Sequence, residues 1–433
     1  MKIRSLPASL ALALSPSPSP GGGEGKEPVA DAIFTLSKPQ FTEGNQITLL
    51  HSGADFFPAL EQAIAAARRE IHLETYIFSD DATALRITLA LADAALRGVR
   101  VRVVVDGFGS QYVFDRMRVL LEAAGVQVRI FRPERRLFRF SRERLRRLHR
   151  KLVVVDHAIA FVGGLNLMDD LIDPKRGLLD APRFDFAVRV QGPVVAPIHL
   201  AMRRLWLLLS WRRQRTRREW RHTLRLWLAL TASPAATPPG AAQAAFVLRD
   251  NLRFRHAVEQ AYLDAIYAAR REIIIANAYF FPGRRFRRAL YQAAARGVQV
   301  TLLLQGRVEY WLAHYGAQAL YDDLLRGGIQ VVEYTPSFLH AKVAVIDDDW
   351  ATVGSSNIDP FSFLLAREAN LIVRAPDFCA ALKQALQQAI TQHGRPLVLQ
   401  RHAQRPRWMR LLNWFAYGLL RLGVAITGRA GQY

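Results

Sequence analysis

One cysteine, Cys379, stands in a chain of 433 residues, which excludes an internal disulfide and a cysteine-based zinc cluster. No run of about 18 uncharged apolar residues occurs, and that argues against a membrane-spanning helix. Acidic residues are scarce: 37 Asp+Glu face 59 Lys+Arg, for a formal charge of +22. Most of the excess is arginine, whose planar fork suits phosphate better than an ammonium does. An anionic partner follows, either nucleic acid or a membrane rich in acidic phospholipid. Apolar residues at 51% and charged residues at 22% exclude wholesale disorder, and the length fits two domains or one duplicated unit.

The first residues, MKIRSLPASLALALS, join two cations to a short apolar stretch broken by Pro7. SPSPSPGGGEGKEP then reads as a flexible leader, and residues 1–40 are set outside the fold. A cleaved export signal is left open.

The chain repeats itself. AAARREIHLETYIF (Ala65–Phe78) returns as YAARREIIIANAYFF (Tyr267–Phe281), and ALADAALRGVRVRVVVDG (Ala90–Gly107) as ALYQAAARGVQVTLLLQG (Ala289–Gly306). Each copy reads as helix, apolar strand, helix ending at Arg-Gly, and a second apolar strand. Gly98 and Gly297 fall where a helix C-terminus favours left-handed backbone. Val- and Ile-rich runs without alternation predict strands buried on both faces. The expected fold is therefore α/β, two duplicated halves with mixed sheets flanked by helices. An arginine-rich insertion, Pro133–Leu148, distinguishes the first half, and the linker between the halves is placed at Thr231–Gln243.

Each half carries one chemical motif. LHRKLVVVDHAIAFVGGLN sets out His149, Lys151, Asp156 and Asn166; LHAKVAVIDDDWATVGSSN sets out His340, Lys342, Asp347 and Asn357 at the same spacings. Residues two apart on a strand share a face, so each histidine sits beside a fixed cation. That pairing suits attack on a phosphodiester: lysine and asparagine hold phosphoryl oxygens while imidazole supplies a nucleophile or a proton. A lone histidine would signify little, but two complete copies inside a repeat carry weight. His51, His72, His157, His199 and His314 have no repeated partner and read as structural or exposed; Cys379 reads as apolar filler.

The two motifs resemble the double HKD signature of the phospholipase D superfamily, over about Gly44–Asn370. EGNQITLLHSGADFFPAL, FVGGLN, ATVGSSNIDP and EANLIV make the chain most similar to bacterial cardiolipin synthases, particularly the shorter B type. The resemblance implies halves related by a pseudo-twofold, both histidines in one cleft, and no metal or other cofactor. It implies residues 41–200 as the first half with its motif at 149–166, and 244–395 as the second with its motif at 340–357. Between them, 201–243 form a basic Trp/Arg arm and linker, and 396–433 an amphipathic membrane-associating tail.

Carried over by position, His149, Lys151, Asp156, His340, Lys342 and Asp347 form the catalytic signature, with both aspartates off the reacting phosphorus. His149 would attack one phosphatidylglycerol and His340 protonate the departing glycerol, then activate a second phosphatidylglycerol; the reverse assignment stays open. Phosphatidylethanolamine is a variant donor. Asn166, Asn357 and Ser355 would bind phosphate, with Gly164 as the unequal counterpart of Ser355. Asp185 and Glu368 would orient the histidines, Asp185 counted from His149 and Glu368 from His340. Trp206, Trp211, Trp220 and Trp227 interleaved with arginine, and Trp408–Ile426, suit a headgroup layer. The expected partner is an anionic phospholipid membrane rather than nucleic acid, with peripheral placement at the bacterial inner membrane. Hydrolytic phospholipase D and a metal-independent nuclease are the alternatives.

Overall fold

The Val- and Ile-rich runs form strands with little polar backbone left over, because all but those at the sheet's edges are paired on both sides. A computed structural model describes residues 39–133, 146–173, 176–211, 240–250 and 254–426. The first half runs β1 (Thr42–His51), α1 (Ser52–Ala66), β2 (Glu70–Thr75), α2 (Ala82–Leu96), β3 (Arg100–Asp106), α3 (Asp115–Ala123) and β4 (Gln127–Phe131). It continues through β5 (Leu152–Val155), β6 (Ile159–Gly163), the short β7 (Ile172–Asp173) and β8 (Gly177–Leu178), β9 (Phe186–Gln191) and α4 (Val195–Trp211).

The second half repeats that order: β10 (Ala242–Arg249), α5 (Ala257–Ala268), β11 (Glu272–Asn277), α6 (Arg284–Ala295) and β12 (Gln299–Gln305). Then come α7 (Trp311–Gln318), α8 (Tyr321–Arg326), β13 (Gln330–Tyr334), β14 (Lys342–Ile346), β15 (Trp350–Gly354), α9 (Pro360–Leu364) and β16 (Glu368–Arg374). The chain closes with α10 (Pro376–His393), β17 (Gly394–Pro396), α11 (Leu399–Ala403) and α12 (Arg407–Ile426).

Fifteen of these strands form one mixed sheet, ordered β17-β13-β12-β11-β14-β15-β16-β10-β1-β9-β6-β5-β2-β3-β4. Apart from β17, the order reads identically outward from the central β1–β10 pair, which is the pseudo-twofold that the resemblance implied. Within each half three strands run parallel (β2-β3-β4, β11-β12-β13), joined by helical crossovers. β5 and β14 then pair antiparallel with β2 and β11. Helices cover the sheet, so strands such as β2, β14 and β15 are buried along their whole length.

The Arg-Gly helix endings have a specific cause. Gly98 and Gly297 take φ of 92° and 87°, which glycine tolerates without strain. Each preceding arginine turns back onto the previous helix: Arg97 donates to the carbonyls of Ile64 and Ala65, and Arg296 to those of Ile266 and Tyr267. These groups satisfy helix-end carbonyls that have no partner within the helix.

Trp206 departs from the interfacial role expected of it. It is buried on α4, with the Arg129 guanidinium 3.9 Å and that of Arg102 5.3 Å from its ring centre, a cation–π packing inside the protein. Trp220 and Trp227, the leader up to residue 38, most of the insertion (134–145) and linker residues 231–239 lie outside the described residues. The final linker residues, Ala242 and Gln243, already belong to β10. Among the described residues no helix is long and apolar enough to cross a membrane.

Candidate active site

Each HxK segment enters its strand by docking on the opposite half. The His149 N–H donates to the carbonyl of Arg367 at 2.9 Å, and the His340 N–H to that of Phe184 at 2.9 Å. Bridges Leu148↔Arg367 and Phe184↔Leu339 extend these contacts. The residue following each docking point is a carboxylate, Glu368 after Arg367 and Asp185 after Phe184. The backbone thus delivers each carboxylate to the histidine of the other half.

The expected pairing is therefore exchanged. His149 Nδ1 lies 3.0 Å from both carboxylate oxygens of Glu368, and His340 Nδ1 lies 2.6 Å from Asp185 Oδ2. Asp185 does not contact His149, nor Glu368 His340, because spacing along the chain was the wrong guide where tertiary docking sets the partners. Glu368 is wholly buried and Asp185 is 2% exposed. The histidine side chains keep 17% and 18% exposure, so imidazole faces the cleft with carboxylate behind it.

The two carboxylates are supported differently. The Ser355 hydroxyl donates to Glu368 Oε2 at 2.6 Å and accepts the Ala369 N–H at 3.0 Å. Ser355 is thereby committed to Glu368 rather than to a phosphate, which corrects its expected place among the phosphate ligands. Opposite it, a Cβ on Gly164 would stand 2.3 Å from Asp185 Oδ1, so a residue without a side chain is what admits that carboxylate.

The lysines complete the polar floor. Lys151 Nζ donates to the His149 carbonyl at 2.8 Å, and Lys342 Nζ likewise to the His340 carbonyl; Lys342 also sits 3.8 Å from Asp185. Asn166 and Asn357 line the cleft. Asn166 Oδ1 accepts the Ile77 N–H at 3.2 Å, leaving the NH2 end as its donor side. Asn357 Oδ1 is buried without a hydrogen-bond partner.

Electrostatics follow from this crowding. Burial, then the Lys342 charge, pushes His340 down to about 3, and burial likewise lowers His149. Burial and the neighbouring Lys342 push Lys151 down to about 7, and burial lowers Lys342. Burial alone would raise both carboxyls, but Lys342 and His340 hold Asp185 below its usual range, and His149 and Lys151 do so for Glu368. The site is short of negative charge, the state an incoming phosphate would relieve.

Asp156 and Asp347 lie elsewhere. Asp156 accepts the N–H groups of Arg68, Arg69 and Glu70, and Asp347 those of Arg270, Arg271 and Glu272. Each takes positive φ (52° and 51°) at the far end of the strand that its histidine begins. Each aspartate stands seven positions along the extended chain from its histidine, roughly 20 Å. Their part is to fasten a turn.

Both imidazoles, Asn166 and Asn357 open into one cleft of about 360 Å³. Tyr76 and Tyr279, which the repeat places at equivalent strand ends, both line it. Tyr76 packs edge-on to His149 with ring centres 4.9 Å apart, and Tyr279 donates its hydroxyl to Glu309. Sequence reasoning missed Arg147, Glu309, Phe361 and Leu420, which lack a repeated counterpart. Of these, Arg147 lies within the arginine-rich insertion and could have been flagged by its place two residues before His149.

The family model described as cardiolipin synthase, PLD-like domain, matches residues 60–175 and 262–390. The chain belongs to this family. It is 40% identical over 395 residues to cardiolipin synthase B of Salmonella typhi, covering 89% of this chain and 90% of that one. Cardiolipin synthase B of Escherichia coli strain K12 is 39% identical over 391 residues, covering 90% and 91%. Among solved structures, phosphatidylserine synthase of Haemophilus influenzae shares the fold, with a TM-score of 0.67, 14% identity, and coverage of 93% and 99%. One matched segment falls within each of the two halves described above.

Proposed function

We propose that the protein transfers a phosphatidyl group from one phosphatidylglycerol to a hydroxyl of a second, giving cardiolipin and glycerol. The observation that carries this reading is the placement of two imidazoles in one cleft, each held through Nδ1 by a buried carboxylate of the opposite half. With Nδ1–H donated to carboxylate, each Nε2 is aimed at the cleft as the reacting nitrogen.

In the first step His149 Nε2 attacks phosphorus, the P–O bond to glycerol breaks, and His340 gives the departing alkoxide its proton. In the second, His340 takes the proton of the incoming hydroxyl, which attacks phosphorus as the N–P bond breaks and His149 is released. Lys151, Lys342, Asn166 and Asn357 hold the phosphoryl oxygens as charge develops on them. Naming His149 as nucleophile follows the family resemblance. The depressed imidazoles suit a nucleophile, and a bound phosphate raises its partner into the proton-donating range. Phosphatidylethanolamine is a second donor of the same geometry, releasing ethanolamine.

Location at the bacterial inner membrane, held peripherally, is supported by α12. Trp408, Leu411, Trp414, Phe415 and Leu422 are exposed on it, while Leu420 lines the cleft. Trp311, Tyr310 and Phe361 are exposed as well, and Tyr310 and Phe361 line the cleft. Acyl chains, rather than a nucleic-acid backbone, fit such a rim. Incubating the purified protein with phosphatidylglycerol vesicles tests the reading: cardiolipin with equimolar glycerol supports it. Phosphatidic acid alone indicates hydrolysis, and no lipid turnover overturns it.

A further inference from the structure

Three histidines without any counterpart in the repeat converge far from the cleft, at the N-terminal end of β2. Glu70 Oε1 is approached by His157 Nε2 from the β5–β6 turn, by His199 Nε2 from α4 at 2.9 Å, and by His72 Nε2 from β2 at 3.5 Å. The ligand-type atoms of Glu70, His157 and His199 all lie within 4.8 Å of one another. Glu70, His72 and His199 are 7%, 3% and 2% exposed, and His157 closes the site from the surface.

His157 Nε2 hydrogen-bonds Glu70 Oε1, but hydrogen bonding does not account for the rest of the cluster. His199 Nε2 is buried and forms no hydrogen bond despite its closeness to the carboxylate. His72 Nε2 also faces Arg102 Nη1 at 3.4 Å; a guanidinium only donates, so in the tautomer that accepts from it this nitrogen presents a lone pair. A carboxylate only accepts. Two acceptors turned toward each other in a buried place call for a cation between them.

The other half shows what belongs there. Glu272 is the repeat equivalent of Glu70, and it meets the ammonium of Lys383. The second half carries its cation in its own sequence, whereas the first surrounds the same carboxylate with imidazoles. We infer that Glu70, His157 and His199, with His72 as the fourth ligand, bind one divalent transition-metal ion of the zinc class. Imidazole and carboxylate in a four-fold set suit that ion, and a closed set of protein ligands marks a structural rather than catalytic site. Arg100 opposes the added charge, but it approaches the other oxygen, Oε2, at 3.4 Å, and its side chain is 62% exposed and able to turn into water. The ion would staple α4 to the end of the sheet.

The test uses the full chain, stripped with a chelator, dialysed, and titrated with Zn2+ against a competing dye, with Co2+ as spectroscopic probe. Parent protein and the control His256→Ala should each take up one equivalent at a single site, and Zn2+ should raise their melting temperature. His157→Asn, where asparagine accepts the positive φ of 60°, and His199→Gln should each lose affinity by more than about tenfold and lose the thermal shift. Unchanged binding in both variants, no binding by the parent, or binding abolished instead by His149→Ala would each overturn the inference.

Discussion

His340 and Asp185 stand 155 positions apart, in different halves of the chain, with Nδ1 and Oδ2 at 2.6 Å. His149 and Glu368 form the reciprocal pair, so neither half holds a complete site. Asp185→Asn and Glu368→Gln keep size while removing charge, and should leave far-UV circular dichroism unchanged. Phosphatidyl transfer should fall by on the order of 10³–10⁴-fold in each, by analogy with the orienting aspartate of serine-protease triads. Transfer within tenfold of the parent would show the carboxylates to be structural only.

Support of these carboxylates should differ between the halves. Ser355→Ala removes a charge-assisted hydrogen bond to Glu368, worth about 1.5–3 kcal/mol, and should lower kcat about tenfold or more with little change in KM. A rise in KM alone would return Ser355 to the phosphate ligands. Gly164→Ala drives a methyl into Asp185 and should cost about 1–3 kcal/mol of stability along with most of the activity, read by thermal melting and initial rates.

The two α/β halves and the HxK positions were legible because duplication prints the same pattern twice. The exchanged carboxylates were not, since Phe184 and Arg367 dock on backbone that only the folded halves bring together. Trp206 was misread for a related reason: tryptophan among arginines describes a lipid interface and a buried cation–π stack equally well. Nor could a spacing rule join His72, His157 and His199, which come from a strand, a turn and a helix.

Stability should depend on pH through His340. Its folded value, near 3, lies below the ordinary imidazole value of 6.5. Between the two the unfolded chain binds the proton and the native chain does not, so stability rises with pH across that window and is lost as pH falls through it. Melting temperatures of the parent and His340→Gln between about pH 4 and 7 should show a shallower slope for the variant. Parallel slopes would mean that the imidazole titrates normally in the fold.

On α12, serine in place of Trp408, Trp414 and Phe415 removes exposed apolar side chains without touching the cleft. Each should weaken binding to phosphatidylglycerol vesicles about tenfold, an estimate from ~1.4 kcal/mol per partly inserted ring. Turnover of a detergent-dispersed substrate should hold. Undiminished vesicle co-sedimentation by the triple variant would remove α12 from the membrane contact.

A crystal structure with vanadate, which copies a phosphoryl group in transfer, tests the shared cleft most directly. One vanadium should bind between the imidazoles, bonded to Nε2 of one and with an oxygen about 3 Å from Nε2 of the other, Lys151 and Lys342 around it. Separate anions at His149 and His340, or rings turned away from a common centre, would contradict the account.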